Sequence, residues 1–321
     1  QHQLSPLKSI IKKLCLIKFM RTKLLLNPGT GWSGTTPFYY TLRDSKFCHA
    51  GYKKEFHYLQ MMYLNNQYFT DWMIKRYTVE KTSFRTGKFT DKTAEYNKDY
   101  YKKLLTPEHS FDKYIHHMHY MKDCFPDYDA VCDFSNYNNG LPEDFMIAHA
   151  NAIKSHFDVK ITFLIADPIF RYYMEIGGII NQHHSSQKQE KIRVMGKDED
   201  PIFNEYIRNK QQRELFKYCL KNSRISKNCH YQKNIQKLSK SYGENNVLVL
   251  EMEKIWDSSY HKDTFSKLSE FLDYEISPNQ LYPNQYMSSD KNIDGLKDQN
   301  TEFESITVSL YELGKKHLCN I

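Results

Sequence analysis

Small and hydroxyl-bearing residues are concentrated at 29–36, in the segment G-T-G-W-S-G-T-T, directly after the leucines at 24–26. The leucines predict a buried strand, and the segment then provides a tight turn and a helix start through Gly29, Gly31, Gly34, Thr35 and Thr36. Main-chain amides converge in such a turn, and the positive end of the helix dipole adds to them. The segment therefore predicts a loop that can hold a phosphate or sulfate without a cationic side chain.

The loop differs from the nucleotide-binding pattern G-x-x-x-x-G-K-[ST]. Gly29 and Gly34 have the required spacing, but Thr35 stands where the lysine should be. No clear Mg²⁺-binding acid follows either, so an NTP hydrolase or a nucleotide kinase is poorly supported. A plain strand-to-helix turn is the alternative interpretation of the loop taken alone.

Four segments in chain order resemble the superfamily of sulfotransferases that use PAPS (3′-phosphoadenosine 5′-phosphosulfate), in the motif style of the glycan-modifying and heparan types. They are G-W-S-G-T-T at 31–36, K-E-F-H-Y at 54–58, L-I-A-D-P-I-F-R-Y-Y at 164–173, and V-L-V-L-E at 247–251 with F-L at 271–272. Together they span nearly the whole chain. The resemblance implies transfer of a sulfuryl group from PAPS to a hydroxyl of a carbohydrate or small metabolite, without a metal. The other product is the spent donor, PAP (3′-phosphoadenosine 5′-phosphate).

The resemblance also implies roles for individual residues. Glu55 would be the general base, with His57 and Lys54 orienting groups or transferring protons. Arg171 would bind the 3′-phosphate, for which a guanidinium fork is well shaped. The 5′-phosphosulfate would be held by the loop residues Gly31, Trp32, Ser33, Gly34, Thr35 and Thr36.

The chain departs from the family pattern at three donor-binding positions. Trp32 replaces the lysine or arginine that faces the bridging oxygen, Ala166 replaces the first arginine of the 3′-phosphate motif, and Met174 replaces its serine. A charge-assisted hydrogen bond contributes about 1.5–3 kcal/mol, so these losses weaken donor binding unless other basic residues compensate. The candidates for compensating basic residues are Lys53, Arg193 and Lys291. The alternative function is a catalytically degenerate protein of the same fold that binds a nucleotide, glycan or protein partner.

Other residue groups carry weaker predictions. His116, His117 and His119 lack a second ligand pair at a useful spacing, so we expect no metal site there. Arg171 has an alternative interpretation as the ion-pair partner of Asp167 or Glu175.

Three alternative roles are open for the aromatic and basic residues at 52–120: packing of a helical core, lining of an acceptor groove, or contact with RNA. We expect no nucleic-acid partner. Ser135 and Tyr137 match an S-P-x-Y element near the acceptor site too loosely to predict a catalytic role.

Bulk properties set broad limits. The 321 residues carry a formal net charge of +7, which suits an anionic ligand. Seven cysteines without C-x-x-C spacing favour a reduced, cytoplasmic or otherwise intracellular protein. No apolar run reaches the roughly 18 residues of a membrane span. Residues 1–19 are basic and precede Met20, so we interpret them as an N-terminal extension whose native status the sequence does not fix.

The elements that must position these residues alternate between strand and helix. Predicted strands lie at 24–26, 46–52, 130–134, 159–165 and 247–250, and predicted helices at 37–44, 143–156, 201–222, 231–242 and 265–272. This alternation predicts an α/β fold, a P-loop-like three-layer sandwich with a central parallel sheet of four to five strands. We expect one sulfotransferase-like domain over 20–321, with a helical insertion at 60–122 and an exposed loop at 181–200.

Overall fold

A computed structural model describes residues 21–31, 33–51, 54–78, 98–106, 108–136, 138–167 and 230–282, together with residues 171, 175 and 205. The predicted loop at 181–200 lies outside the described residues, and only residue 205 of the predicted helix at 201–222 is described. The boundaries of the predicted domain are not tested by the structure.

Five parallel strands form one central sheet in the order β2-β3-β1-β4-β5. The strands are β1 (Thr22–Leu26), β2 (Cys48–His49), β3 (Ala130–Asp133), β4 (Phe157–Ile165) and β5 (Val247–Glu251). The central strands read as continuous apolar runs because both faces of the sheet are covered. The predicted α/β class and the parallel five-stranded sheet are confirmed.

Nine α-helices have both ends within the described residues and are numbered here in chain order. They are α1 (Thr35–Asp44), α2 (Tyr58–Leu64), α3 (Gln67–Thr78), α4 (Lys98–Leu104), α5 (Phe111–Cys124), α6 (Glu143–Ile153), α7 (Tyr231–Tyr242), α8 (Met252–Trp256) and α9 (His261–Leu272). Helices α2 to α5 occupy the region that the sequence predicted as a helical insertion. None of the helices in the described parts of the chain combines the length and apolar character that crossing a bilayer requires.

Apolar side chains on the two faces of the sheet belong to two separate cores. Leu24 and Leu26 of β1 pack with α2 to α7, whereas Leu25 between them packs with α1, α8 and α9. Helices α7 and α9 present apolar residues at three- and four-residue intervals, which is the spacing of one helix face. The protein therefore has the predicted three layers.

The strand order places a topological switch point between β1 and β3. The connection from β1 to β2 runs through α1 on one face of the sheet, whereas the connection from β3 to β4 runs through α6 on the other face. In open parallel sheets, ligands bind in the crevice beyond the carboxyl ends of the two strands at such a point. The segments after β1 and β3 are therefore the place to look for a functional site.

Several element boundaries differ from the sequence predictions, among them those of β2, α1 and α6. The second strand covers only Cys48–His49, because the chain turns at Gly51, whose φ is +70° and whose amide donates a 2.9 Å hydrogen bond to Nδ1 of His49. Helix α1 begins at Thr35, two residues early, directly after Gly34 adopts a left-handed conformation. Helix α6 ends at Ile153 rather than at residue 156.

Candidate functional site

The loop between β1 and α1 has the strand, turn and helix order that the sequence predicts. Gly34 precedes α1 with a φ of +73°, and a Cβ atom there would lie 3.0 Å from the ring of Trp256 and 3.1 Å from Cγ of Met252. The hydroxyls of Thr30 and Ser33 bond to each other, and both residues are buried. Solvent reaches the loop at Gly34, which is half-buried, and at Thr36, which is exposed.

Main-chain amides at the start of α1 are available to a ligand. Within the described residues, the amides of Ser33, Gly34, Thr35 and Thr36 donate no hydrogen bond to the protein. The first amides of a helix have no partner inside the helix, and they lie at the positive end of its dipole. This arrangement suits a bound phosphate or sulfate.

Lys54 connects this loop with the K-E-x-H segment. Its Nζ donates a 3.2 Å hydrogen bond to Oγ1 of Thr35 and lies 3.0 Å from Oε1 of Glu55. The main-chain carbonyl of Lys54 accepts a 3.2 Å hydrogen bond from the amide of Phe134, directly after β3. The segments that follow β1, β2 and β3 therefore meet at one residue, Lys54.

Asn136 makes a second connection between the loop and Glu55. Oγ1 of Thr35 donates to Oδ1 of Asn136 over 3.2 Å, and Nδ2 of Asn136 donates to Oε1 of Glu55 over 2.8 Å. With the two contacts of Lys54, these bonds form a closed ring of four side chains, called here the Thr35 ring: Thr35, Lys54, Glu55 and Asn136. Each of the four contacts in the ring pairs a donor with an acceptor.

His57 contacts Oε2 of Glu55, the carboxylate oxygen that does not belong to the Thr35 ring. Its Nε2 lies 3.1 Å from Oε2 of Glu55, while the side chain of Glu55 is 23% exposed. His57 has a φ of +56°, a left-handed conformation that is uncommon outside glycine, and α2 begins at the next residue. A carboxylate that receives donors on Oε1 and faces an imidazole on Oε2 has the surroundings expected of a positioned general base.

A buried carboxylate supports the main chain at His57. The amide of His57 donates a 2.7 Å hydrogen bond to Oγ of Ser135, and the amide and hydroxyl of Ser135 both bond to Oδ1 of Asp133. Tyr114 donates to Oδ2 of Asp133 over 3.2 Å. Burial raises the pKa of Asp133 above its usual value, against the opposing effect of these hydrogen bonds. The carboxyl end of β3 thus fixes the backbone that carries Glu55 and His57.

The predicted 3′-phosphate segment is only partly described. Arg171 is fully buried, and its guanidinium bonds to the Glu175 carboxylate, with Nη2 2.5 Å and Nη1 3.1 Å from Oε2. This is the ion pair that the sequence offered as the alternative interpretation of Arg171; contact with a phosphate stays a prediction. Ala166 is buried, and Tyr231 bonds to both its amide and its carbonyl.

The structure thus brings together Lys54, Glu55, His57, Ser33, Gly34 and Thr35, with Gly31 and Thr36 in the same loop. Trp32 and Met174 lie outside the described residues. Asn136 is the site residue that sequence reasoning missed. Its position directly after a predicted central strand, at the same sheet edge as the glycine loop, is the signal that would have found it.

The histidines considered as metal ligands pack mainly against rings. His117 is buried against Phe56, with the ring centroids 4.1 Å apart, and His119 stacks on Phe157 at 4.6 Å. Among the described residues, no group of three or more His, Cys, Asp or Glu side chains is placed to hold a metal ion. Tyr58, Tyr101 and Tyr114 are buried, so core packing accounts for these aromatic residues of the insertion.

Comparison with known proteins gives one weak structural match. The structure aligns with the crystal structure of a sulfotransferase from Alicyclobacillus acidocaldarius over 91% of this chain and 94% of that chain, at 15% sequence identity and a TM-score of 0.46. No family model matches the chain. No curated protein sequence matches it either. Because the identity and the TM-score are both low, no conclusion about activity follows from the match.

Proposed function

We propose that this protein transfers a sulfuryl group from PAPS to a hydroxyl group of a carbohydrate or small metabolite, with Glu55 as the general base. The observation that carries the proposal is the Thr35 ring, which joins the start of the anion loop to the carboxylate of Glu55 through Lys54 and Asn136. Sulfuryl transfer needs an anion site and a base held close to each other.

The roles follow from the position of each group. The amides from Ser33 to Thr36 would hold the 5′-phosphosulfate, and Glu55 would accept the proton of the acceptor hydroxyl as its oxygen attacks sulfur. His57, 3.1 Å from Oε2 of Glu55, would orient the carboxylate and pass the proton on. PAPS supplies the activated sulfuryl group; the protein supplies the anion site, the base and their alignment.

Calorimetric titration with PAP and measurement of PAPS cleavage test the proposal. We expect micromolar PAP binding and turnover by the wild-type protein, and loss of turnover with retained PAP binding in Glu55→Gln. Glu275→Gln is a matched control, because Glu275 is exposed and lies near the end of the last described helix, away from the loop. Unchanged turnover in Glu55→Gln would remove Glu55 as the base.

A second candidate function is a non-catalytic protein of this architecture that binds a nucleotide, glycan or protein partner. The buried ion pair between Arg171 and Glu175 favours it, because the pair gives this arginine a structural role that requires no phosphate. PAP binding without any PAPS cleavage, in the presence of carbohydrate and phenolic acceptors, would support this candidate over the enzyme.

A further inference from the structure

Position 32 leaves a chemical deficit in the anion loop if the proposed function holds, and the following inference rests on that function. The leaving 5′-phosphate gains negative charge as the sulfuryl group departs, so a cation close to the bridging oxygen lowers the barrier. The side chain at position 32 is an indole, whose N–H is a neutral donor. The charge must therefore come from another residue near the loop.

Lys54 is a cation held beside the start of α1. Its ammonium donates to Oγ1 of Thr35, the first residue of α1, and the amide of Thr35 is among those that donate to no protein group within the described residues. The lysine side chain is 11% exposed, and the bond from Phe134 to its carbonyl fixes its main chain. An ion placed on these amides would lie beside the ammonium.

The electrostatics of this position favour a third, anionic partner. An ammonium group has three N–H donors, and the described residues provide acceptors for two of them, Thr35 and Glu55. A cation at the positive end of a helix dipole is disfavoured unless negative charge accompanies it. Glu55 provides one negative charge, and a bound phosphosulfate would provide more at the same point.

We propose that Lys54 supplies the positive charge that stabilises the leaving phosphate, in place of a cationic side chain at position 32. In the reaction, the acceptor oxygen forms a bond to sulfur while the bond between sulfur and the bridging oxygen breaks. The electron pair of the broken bond stays on the bridging oxygen of the 5′-phosphate. Nζ of Lys54 donates a hydrogen bond to that oxygen. The proton of the acceptor hydroxyl goes to Glu55, and no oxidant or further reactant is needed.

Substitution of Lys54 in the full chain tests the proposal. We expect Lys54→Met to slow single-turnover cleavage of PAPS by about 10²-fold or more, and Lys54→Arg to stay within about ten-fold of the wild type. Lys23→Met is the matched control, because Lys23 is also a partly buried lysine in an ion pair, 2.9 Å from Asp129, but lies in the first half of β1, away from the loop. Thermal unfolding of each variant checks that it is folded.

Binding of inorganic pyrophosphate gives a readout that does not need PAPS. We expect Lys54→Met to lower the pyrophosphate affinity about ten-fold and Lys23→Met to leave it unchanged. If the wild type cleaves PAPS and Lys54→Met matches it within about three-fold, the assignment of Lys54 is wrong while the proposed function stands. If the wild type binds pyrophosphate through Lys54 but neither binds PAP nor cleaves PAPS, the proposed function fails, and with it the leaving-group role.

A charge-relocation experiment separates chemistry from packing. Trp32→Lys in the Lys54→Met background restores the cation at the loop position instead of at residue 54. We expect this double variant to regain at least ten-fold in PAPS cleavage over Lys54→Met. A double variant no faster than Lys54→Met, although folded and able to bind pyrophosphate as tightly as the wild type, would contradict the proposal.

Discussion

The side-chain amide of Asn136 donates a 2.8 Å hydrogen bond to the same oxygen of Glu55 that lies 3.0 Å from the Lys54 ammonium. Its carbonyl oxygen accepts from Thr35, so this asparagine uses both ends of its amide to hold the loop and the carboxylate together. Asn136 is buried, and its main-chain carbonyl also accepts from Gln60 of α2 over 2.9 Å. Asn136 therefore joins Lys54 in setting the separation between the loop at Thr35 and the carboxylate of Glu55.

Truncation of this side chain should affect chemistry more than binding. We expect Asn136→Ala to lower kcat for sulfuryl transfer by about ten- to a hundred-fold, because Glu55 loses a donor and its orientation, while PAP affinity changes by less than about three-fold. Steady-state kinetics and PAP titration measure the two effects. Asn151→Ala on the exposed face of α6 is the control, and an equal loss in both variants would contradict the role of Asn136.

Gly34 should tolerate no side chain. Its left-handed φ of +73° costs about 1–2 kcal/mol for a residue with a Cβ atom, and that atom would also press on Trp256 and Met252. We therefore expect Gly34→Ala to lower the free energy of unfolding by about 1–2 kcal/mol or more and to weaken pyrophosphate binding. Gly140→Ala is the control, because a Cβ atom there meets nothing within 4 Å. Urea denaturation of both variants decides the comparison; equal stability would show that the turn is not constrained as described.

Arg171 gives a test of the 3′-phosphate prediction that the structure leaves open. If its guanidinium exchanges Glu175 for the 3′-phosphate, Arg171→Lys should weaken PAP binding while the affinity for 5′-AMP, which lacks that phosphate, stays the same. If it serves only the ion pair, both affinities should change together. Competition titrations with the two nucleotides distinguish these results, and thermal unfolding reports the separate cost of disturbing a buried ion pair.

Buried histidines make stability fall in mild acid. Burial lowers the pKa of His117 from 6.5 to about 3, and the same cause lowers the pKa values of His49 and His149 to about 3. The unfolded chain binds protons at these rings below about pH 6.5 and the folded chain does not. The stabilisation is therefore complete above that pH and decreases toward pH 3, by about 1.4 kcal/mol per pH unit for each histidine.

Replacement of one of these histidines isolates its contribution to the pH dependence of the unfolding free energy. We expect His117→Phe to reduce the slope of unfolding free energy against pH, between pH 6 and pH 5, by about 1.4 kcal/mol per unit. The hydroxyl of Tyr100 loses its 3.1 Å contact with Nδ1 of His117, but that loss is the same at every pH in this range and shifts only the intercept. Urea denaturation at several pH values measures the slope. Met118→Leu, a substitution of the buried neighbour on α5 that removes no titratable group, should leave the slope unchanged, and a slope unaltered in His117→Phe would contradict the prediction.

The fold was predictable where hydrophobic patterns are strong. The leucines of β1 and the run at 159–165 indicate strands buried on two faces, and glycine spacing predicts the turn before α1, all of which the structure confirms. The extent of β2 was not predictable, because it depends on a bond from Gly51 to the ring of His49. Short strands are determined by such contacts more than by composition.

The site was predictable only where its residues are close together in the sequence. Glu55 and His57 belong to a short motif, so their sequence spacing alone brings them together. The contact between Asn136 and Thr35 joins residues 101 positions apart, and only the strand order brings their segments to the same sheet edge. Sequence motifs report local chemistry, whereas a ring closed by distant segments depends on topology.

Lys54, Glu55 and His57 occupy one short stretch that is anchored to the end of β3 at two points, through Phe134 and Ser135. Helix α2 begins immediately afterwards and leads into the tyrosine-rich helices. Changes in those helices can reshape the surface beside Lys54, Glu55 and His57 while these three side chains keep their mutual alignment. If the proposed function holds, acceptor choice can therefore evolve separately from the groups that carry out the transfer.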